Sequence, residues 1–488
     1  MLTLLLIALP VVSALLLLAL SGENVKRVAF VASLAEFALA LVAASQVAPE
    51  AGSQLAVSYP WIESAGIRFS VGMDGISLLL VILTTLLVPL IVLTTFGHSY
   101  QNPAAFYALV LFMEAALVGV FTARDAFLFY LFWEAALIPV YFLAGIWGGK
   151  DRIRITFKFF LYTIFGSLFM LLAFAYLYFQ TPGAHSADVN ALYALNLDAG
   201  EQSWLFWALF IAFAVKMPVF PFHTWQPDTY VESPAPATML LSGIMLKMGI
   251  YGLIRWLLPV VPEGVDQWGA TAMILSIVGI VYGSVIAVQQ NDMKRLVAYS
   301  SLAHVGLMSA GVFTRTTSGL QGAVIQMLAH GINVVGLFFI IDIITRRTKT
   351  RDLERLGGIT QQTPALTVCF VILMLGSVAL PLTSGFVGEF LLLSGLYTYN
   401  PWYGAIAGLT IILGAVYLLR MFQKAMLGPK IEAAAPFADL TFLEKAVLFP
   451  LVFMVFWIGL YPNSFLNLTG PAVADILRLT ANGATGLK

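Results

Sequence analysis

Apolar runs of about 20 residues recur from one end of this chain to the other, each long enough to cross a bilayer core of about 30 Å as a helix. No other feature restricts the fold as strongly. The composition agrees with it: of 488 residues 60% are hydrophobic and 10% charged, with a mean hydropathy of +0.91. A water-facing surface needs far more charge than that. The expectation is an all-α, polytopic membrane protein without a soluble domain of useful size. A net charge of zero argues against nucleic acid as a partner. Cys369 is the only cysteine, which excludes disulfides, iron–sulfur clusters and cysteine zinc sites within the chain. The amino terminus, MLTLLLIALPVVSALLLLAL, lacks a basic region and a small-residue cleavage site, and reads as a first spanning helix.

Fourteen spans are expected, roughly at 2–20, 28–47, 74–97, 104–122, 126–147, 156–179, 204–222, 236–258, 268–289, 296–314, 320–344, 365–393, 401–423 and 443–463. Basic residues divide unevenly between alternate connections. One set holds Lys26, Arg27, Lys150, Arg152, Arg154, Lys158, Lys294, Arg295, Arg346, Arg347, Lys349, Arg351, Arg355, Arg420, Lys424 and Lys430. The other holds only Arg68, Arg124, Arg255, Arg315, Arg478 and Lys488. The richer set marks the cytoplasmic face, so both termini are expected on the opposite side.

Two spans are broken by composition. In the seventh, FAVKMPVFPFHTW, Pro218 and Pro221 remove the donors for the carbonyls of Ala214 and Met217. In the twelfth, Pro381, Thr383, Ser384, Gly385 and Gly388 interrupt what should be a smooth helix. Irregular backbone at membrane depth survives only against protein or water. Broken spans five apart point to an internal repeat of transporter type, and an odd offset makes the second copy inverted. The expected organisation is 1–103 flanking helices, 104–258 first repeat, 259–423 second, inverted repeat, and 424–488 a closing helix and tail.

Seven ionisable side chains fall inside the spans: Glu114, Glu134, Lys216, Lys247, His304, His330 and Glu389. A charge at mid-bilayer costs about 2.5–3.5 kcal/mol on insertion scales, and such residues are functional by default. The plainer alternatives differ by residue. His304 and His330 can be hydrogen-bonded packing residues, although Gln326 and Asn333, at i−4 and i+3, share the face of His330. Glu114 can be the structural partner of a lysine, and Glu134 with Lys216 a static buried ion pair. Lys247 is too central to snorkel.

Other chemistry finds no support. GIWGGKD (Gly145 to Asp151) lacks the first glycine of a phosphate loop, and Asp151 stands where serine or threonine is needed. The histidines at 98, 185, 223, 304 and 330 lack metal-ligand spacing. What remains is a file of titratable groups in low dielectric. Burial disfavours the charged form of lysine and of glutamate, whereas pairing favours it. A lysine at position 216 keeps its proton beside a charged Glu134 and releases it more easily once that partner moves. The prolines supply freed carbonyls for water and a flexible joint, so the two apparent faults form one switchable proton site.

The segments FLFYLFWEAALIPVYFLAGIWGG, FAVKMPVFPFHTWQPDTYVESPAPATMLLSGIMLKMGIYG, NDMKRLVAYSSLAHVGLM and SGFVGEF resemble the antiporter-like membrane subunits of respiratory complex I, the proton-pumping NADH:quinone oxidoreductase. They are also similar to the large subunits of Mrp-type sodium/proton antiporters. Within the family the M-type branch is nearest, by chain length, the GMDGISL entry to the third span and glutamate at 389, where sister subunits typically carry lysine. The longest relative adds a lateral helix after the core, for which no room is expected here.

By this resemblance Glu134 matches the glutamate of the family's fifth helix and Lys216 the lysine of its first broken helix. Lys247 matches the central lysine of the eighth helix. His304 and His330 match the polar link between the halves, and Glu389 the terminal acid of the second broken helix. Tyr230 departs from the pattern, standing where the family has a loop histidine. The resemblance implies proton translocation driven by electron transfer elsewhere. It places FMN, iron–sulfur clusters and quinone in partner subunits and none in this chain. It further implies a bacterial inner membrane and partners that include two homologous antiporter-like subunits. The alternatives are an Mrp-type antiporter subunit and a passive membrane scaffold.

Overall fold

The computed structural model describes residues 1–429 and 437–483, so Lys430 and Lys488 lie outside the described residues. Two helices open the chain, α1 (Leu2–Leu18) and α2 (Asn24–Ala44). An antiparallel hairpin follows, β1 (Gln54–Ile62) and β2 (Ile67–Met73). Gly66 closes its turn at φ 65°, a conformation that costs glycine little. The span reading does not foresee these strands, because they lie between apolar runs and cross no membrane. Asp74 then caps α3 (Gly75–Thr94) by accepting from Ser77 N at 2.9 Å.

The next block contains α4 (Pro103–Thr122), α5 (Ala126–Ala135), α6 (Leu137–Trp147), α7 (Arg152–Gln180), the short α8 (Val189–Tyr193) and α9 (Ala199–Lys216). After α9 come turns, then α10 (Gln226–Glu232), α11 (Ala235–Leu240) and α12 (Leu246–Gly252). The second block holds α13 (Pro262–Gln289), α14 (Met293–Phe313), α15 (Thr317–Thr348), α16 (Pro364–Ser377), α17 (Ser384–Tyr399), α18 (Pro401–Ala407) and α19 (Leu409–Met426). The described chain closes with α20 (Phe442–Leu460) and α21 (Asn463–Gly483).

Among the described residues, eleven helical stretches are long and apolar enough to cross a membrane. They coincide with eleven of the fourteen expected spans. The other three, 2–20, 204–222 and 365–393, are filled by shorter or less apolar pieces: α1 of 17 residues, α9 of 18, and α16 and α17 of 14 and 16. The tail expected after the last span is instead the 21-residue α21. It packs on α3 and α15, and its apolar side is too narrow for a hydropathy reading to find.

Position in the bundle follows the residue pattern. On α7, Ile153, Phe157, Leu161, Phe165, Leu168 and Leu172 are exposed, a stripe with the three-to-four spacing of one helix face. α14 and α15 are buried on nearly every side. They form the centre of the molecule and carry His304 and His330.

Connections from the two basic sets meet only within their own set wherever they are joined by the ion pairs described here. Asp228 pairs with Lys158 and Arg295 at 3.1 Å each, Asp292 with Arg351 at 2.5 Å, and Glu444 with Arg347 and Arg346 at 2.5 and 3.3 Å. From the poorer set, Arg124 N donates to Ser70 O and Val189 N to Arg124 O, each at 2.9 Å, while Arg255 pairs with Asp74.

Candidate proton-transfer site

The first broken helix ends at Lys216. Pro218 has no N–H, and the chain departs from the expectation of two free carbonyls. Val219 N donates to Ala214 O at 2.9 Å, five residues back, and Trp225 Nε1 donates to Val215 O at 2.9 Å. The Ala214 carbonyl is therefore taken by backbone, a correction with a plain cause: a widened turn recovers the donor that proline removed. α16 ends the same way, with Leu380 N on Leu375 O at 3.1 Å. Beyond it Ala379 and Leu382 adopt φ 59° and 73°, a conformation that costs a side-chain-bearing residue about 1–3 kcal/mol. The break needs Gly385, since a Cβ there would lie 2.1 Å from Gly376 O.

Lys216 is 2% exposed and its ammonium lies over the Trp133 ring, 5.2 Å from the centroid. Glu134 is close enough to interact with it electrostatically, yet no ion pair within 4.0 Å joins them. The expected contact pair is thus a pair at longer range. Glu134 has Ser167 as its nearer partner, and beside it α5 ends at Ala135, whose carbonyl Pro139 leaves without its helical donor. Glu134 is half-buried, and its face-mates Leu131 and Ile138 are 45% and 49% exposed. It borders the lateral surface of the chain.

Lys247 lies at the centre of the bundle, 1% exposed. Its helix α12 is flanked by two π-helical segments, Leu241–Met245 and Leu253–Leu257, a geometry often found at functional sites. Lys247 Nζ donates to Ser242 O at 2.5 Å and lies 2.9 Å from His330 Nδ1. Because an ammonium has no acceptor, His330 Nδ1 accepts and the imidazole is neutral in this arrangement.

The His330 and His304 rings are 5.6 Å apart between centroids. A cavity of about 10 Å³ touches both, with Ser300, Ser301, Gln326 and Asn333 in its wall, near the smallest space that holds a water. His304 Nδ1 is 2.7 Å from Ser300 O, and its Nε2 faces Ser377 O at 3.1 Å and Glu389 Oε1 at 3.2 Å. Carbonyls only accept, so an imidazolium donating from both nitrogens to these oxygens and to the carboxylate satisfies every group. Gln326 Nε2 donates to Glu389 Oε1 at 3.3 Å, and Asn333 Nδ2 to Ser384 Oγ at 3.2 Å. The two polar face-mates of His330 thus hold the second broken helix and not His330 itself. Glu389 is 2% exposed and turned inward.

Of the seven expected residues, Lys247, His330, His304 and Glu389 stand in one consecutive run. Lys216 and Glu134 lie apart from it on α9 and α5. Glu114 belongs to neither group: it is fully buried, both its oxygens lack a hydrogen-bond partner, and its interacting neighbour is Glu36, not a lysine. Glu36 escaped the sequence reading although its signal was the same, one acid inside the apolar stretch ASLAEFALALV. Trp133 and Trp225 were also missed, because an aromatic in an apolar helix gives no signal of its own. Among the described residues no group of three or more His, Cys, Asp or Glu is placed to hold a metal ion.

Residues 123–414 match the family model described as NADH:quinone oxidoreductase/Mrp antiporter, TM. The chain is 42% identical over 427 residues to NADH-quinone oxidoreductase subunit M of Rickettsia conorii, covering 87% of this chain and 86% of that one. It is 39% identical over 473 residues to subunit M of Rhodobacter capsulatus, covering 94% and 91%. The structure superposes on a chain of respiratory complex I from Thermus thermophilus with a TM-score of 0.90 at 32% identity, covering 98% of this chain and 100% of the other. The Mrp complex from Dietzia shares the fold alone, with a TM-score of 0.84 at 20% identity over 98% of this chain and 52% of that one. The chain belongs to the NADH:quinone oxidoreductase/Mrp antiporter family of transmembrane subunits, among its subunit M members.

Proposed function

We propose that this chain is a proton-translocating membrane-arm subunit of an NADH:quinone oxidoreductase, working through Glu134, Lys216, Lys247, His330, His304 and Glu389. The observation that carries this reading is the run Lys247–His330–His304–Glu389, in which donors and acceptors alternate across the middle of the bundle. Lys247 can hand a proton to His330 Nδ1 over 2.9 Å. Once His304 has passed its Nε2 proton to Glu389 over 3.2 Å, one water in the cavity beside the two rings can relay the proton from His330 to it. Each transfer moves charge between groups that have a waiting partner, which keeps the cost of a buried charge low.

Lys216 and Glu134 act as the loading end. The ammonium is held by a ring face and by a carboxylate beyond contact distance, so a movement of α9 changes its stabilisation without breaking a short ion pair. The two broken helices serve as the joints of repeats at 104–258 and 259–423. Electron transfer through FMN, iron–sulfur clusters and quinone takes place in partner subunits, among them two homologous antiporter-like chains. The assembly resides in a bacterial inner membrane with both termini of this chain outside the cytoplasm.

The decisive measurement is quinone reduction together with proton uptake in inverted membrane vesicles. Redox-driven proton uptake that is lost in assembled Lys247 variants supports the reading. Sodium/proton exchange by a complex lacking flavin and iron–sulfur absorbance would assign the chain to an antiporter instead. Full activity in such variants would leave only a scaffold. Orientation is tested separately: after Cys369→Ala, single cysteines in the loop 346–355 should resist an impermeant reagent applied outside intact cells, and their labelling would reverse the topology.

A further inference from the structure

Glu36 on α2 and Glu114 on α4 sit near the middle of their helices, and both are 0% exposed. All four of their carboxyl oxygens lack a hydrogen-bond partner. Their helices pack against each other, and the two side chains interact electrostatically. The elements packed on α2 and α4 are α1, α3, α5, α6, α12 and β2. Their charged or acidic residues are Glu134 on α5, Lys247 on α12 and Arg68 on β2. None compensates the pair: Lys247 is engaged with Ser242 O and His330, Arg68 bonds Ser58, and Glu134 has Ser167 beside it. The tyrosines on these elements, Tyr107, Tyr130, Tyr141 and Tyr251, make no hydrogen bond to either acid.

Two carboxylates on packed helices in an apolar interior, with no donor and no cation beside them, cannot both be ionised. We propose that Glu36 and Glu114 form a proton-binding site, a carboxyl pair that holds at least one proton between them and stands apart from the run through Lys247 and Glu389. A proton on either carboxyl removes the like charge that the two acids would otherwise hold side by side in apolar surroundings. A hard metal cation fits poorly, because the calcium class takes about 6–8 oxygens and among the described residues no third His, Cys, Asp or Glu joins the pair. α4 also packs on α5 and α12, which places this store one helix away from Glu134 and Lys247.

The test uses the intact complex in native membranes and dicyclohexylcarbodiimide at pH 7. The reagent takes the O–H of a protonated carboxyl across one C=N bond and rearranges to an N-acylurea, with no leaving group. Peptide mass spectrometry should find adduct at Glu36 or Glu114 at least about 10-fold above that at Glu63, an exposed carboxylate of a class almost fully ionised at this pH. Yields should be equal in sodium chloride and choline chloride. Absence of adduct on both residues, or protection by sodium alone, overturns the proposal, the latter in favour of a cation site. Infrared difference spectra of Glu36→Gln should show a shifted carboxylic C=O stretch from Glu114, and an unshifted band would make the acids independent. Glu36→Asp keeps an acid at this position and should retain the adduct at Glu114; its loss there counts against the pair. Neither readout depends on turnover, so the result stands whatever the fate of the proposed pumping function.

Discussion

The ionisable residues of the two broken-helix regions are held in opposite ways. Around α9, Lys216 meets a tryptophan ring at 5.2 Å and an acid beyond ion-pair distance. Around α16 and α17, Glu389 takes His304 at 3.2 Å and Gln326 at 3.3 Å, while Ser300 and Ser377 hold the imidazole. A loosely held charge responds to small backbone movements, because no short hydrogen bond or ion pair fixes its position. A group fixed by several hydrogen bonds keeps its geometry and suits transfer over a constant distance. Under the proposed function, switching therefore belongs to the first region and relay to the second.

Removing the hub should have the largest effect. Lys247→Met keeps much of the volume but deletes the donor to His330, and redox-driven proton uptake should fall on the order of 10²-fold in assembled complex. Vesicle uptake close to that of the unmodified protein would detach the two regions from each other.

Glu134→Gln should come next, nearly abolishing coupled activity with assembly intact, whereas Glu134→Asp should retain part of it. Among the described residues Glu134 is the acid that interacts with Lys216, so no neighbour replaces it. Near-normal pumping by assembled Glu134→Gln would reduce the long-range pair to a structural feature and end the contrast drawn above.

For Glu389→Gln the expected loss is strong but smaller, roughly 10-fold in proton uptake, because the amide oxygen still accepts from Gln326 and His304 and preserves the relay geometry. Glu389→Lys should keep partial activity, since a lysine is also able to take and release a proton there. Full pumping by Glu389→Gln would show that the path does not use this carboxylate.

The mildest change is Trp133→Leu. A cation–π contact with another charge partner present is worth about 1 kcal/mol, so coupled activity should fall only several-fold. Quinone reduction and uptake measured together should decline in parallel. An effect as large as that of Glu134→Gln would mean that the ring, not the acid, holds Lys216.

Much of this molecule is legible in its apolar periodicity, because in a bilayer each backbone polar group must bond within its own helix. A run such as 320–344 can hardly be anything else. The breaks at Pro218 and Pro381 are equally legible, since a missing N–H is a local property of one residue. So are Lys216, Lys247 and Glu389, whose charge is costly wherever the apolar run places it. The hairpin at 54–73 and α21 were not visible, because neither needs to cross the bilayer and hydropathy is silent about them.

Which charged residues meet was settled only by packing. Spacing along the chain places Glu134 and Lys216 on different helices but sets no distance between them, and packing leaves them beyond ion-pair range. Nothing along the chain puts His330 before His304 in the run, or turns Gln326 and Asn333 toward α17. Glu36 and Glu114 lie 78 positions apart, and only the packing of α2 on α4 makes them neighbours. Sequence determined the helices, their breaks and the chemical types placed inside them, because those follow from each residue's own transfer energy. Tertiary structure decided the partners, because an interaction energy depends on a distance that no single stretch of chain contains.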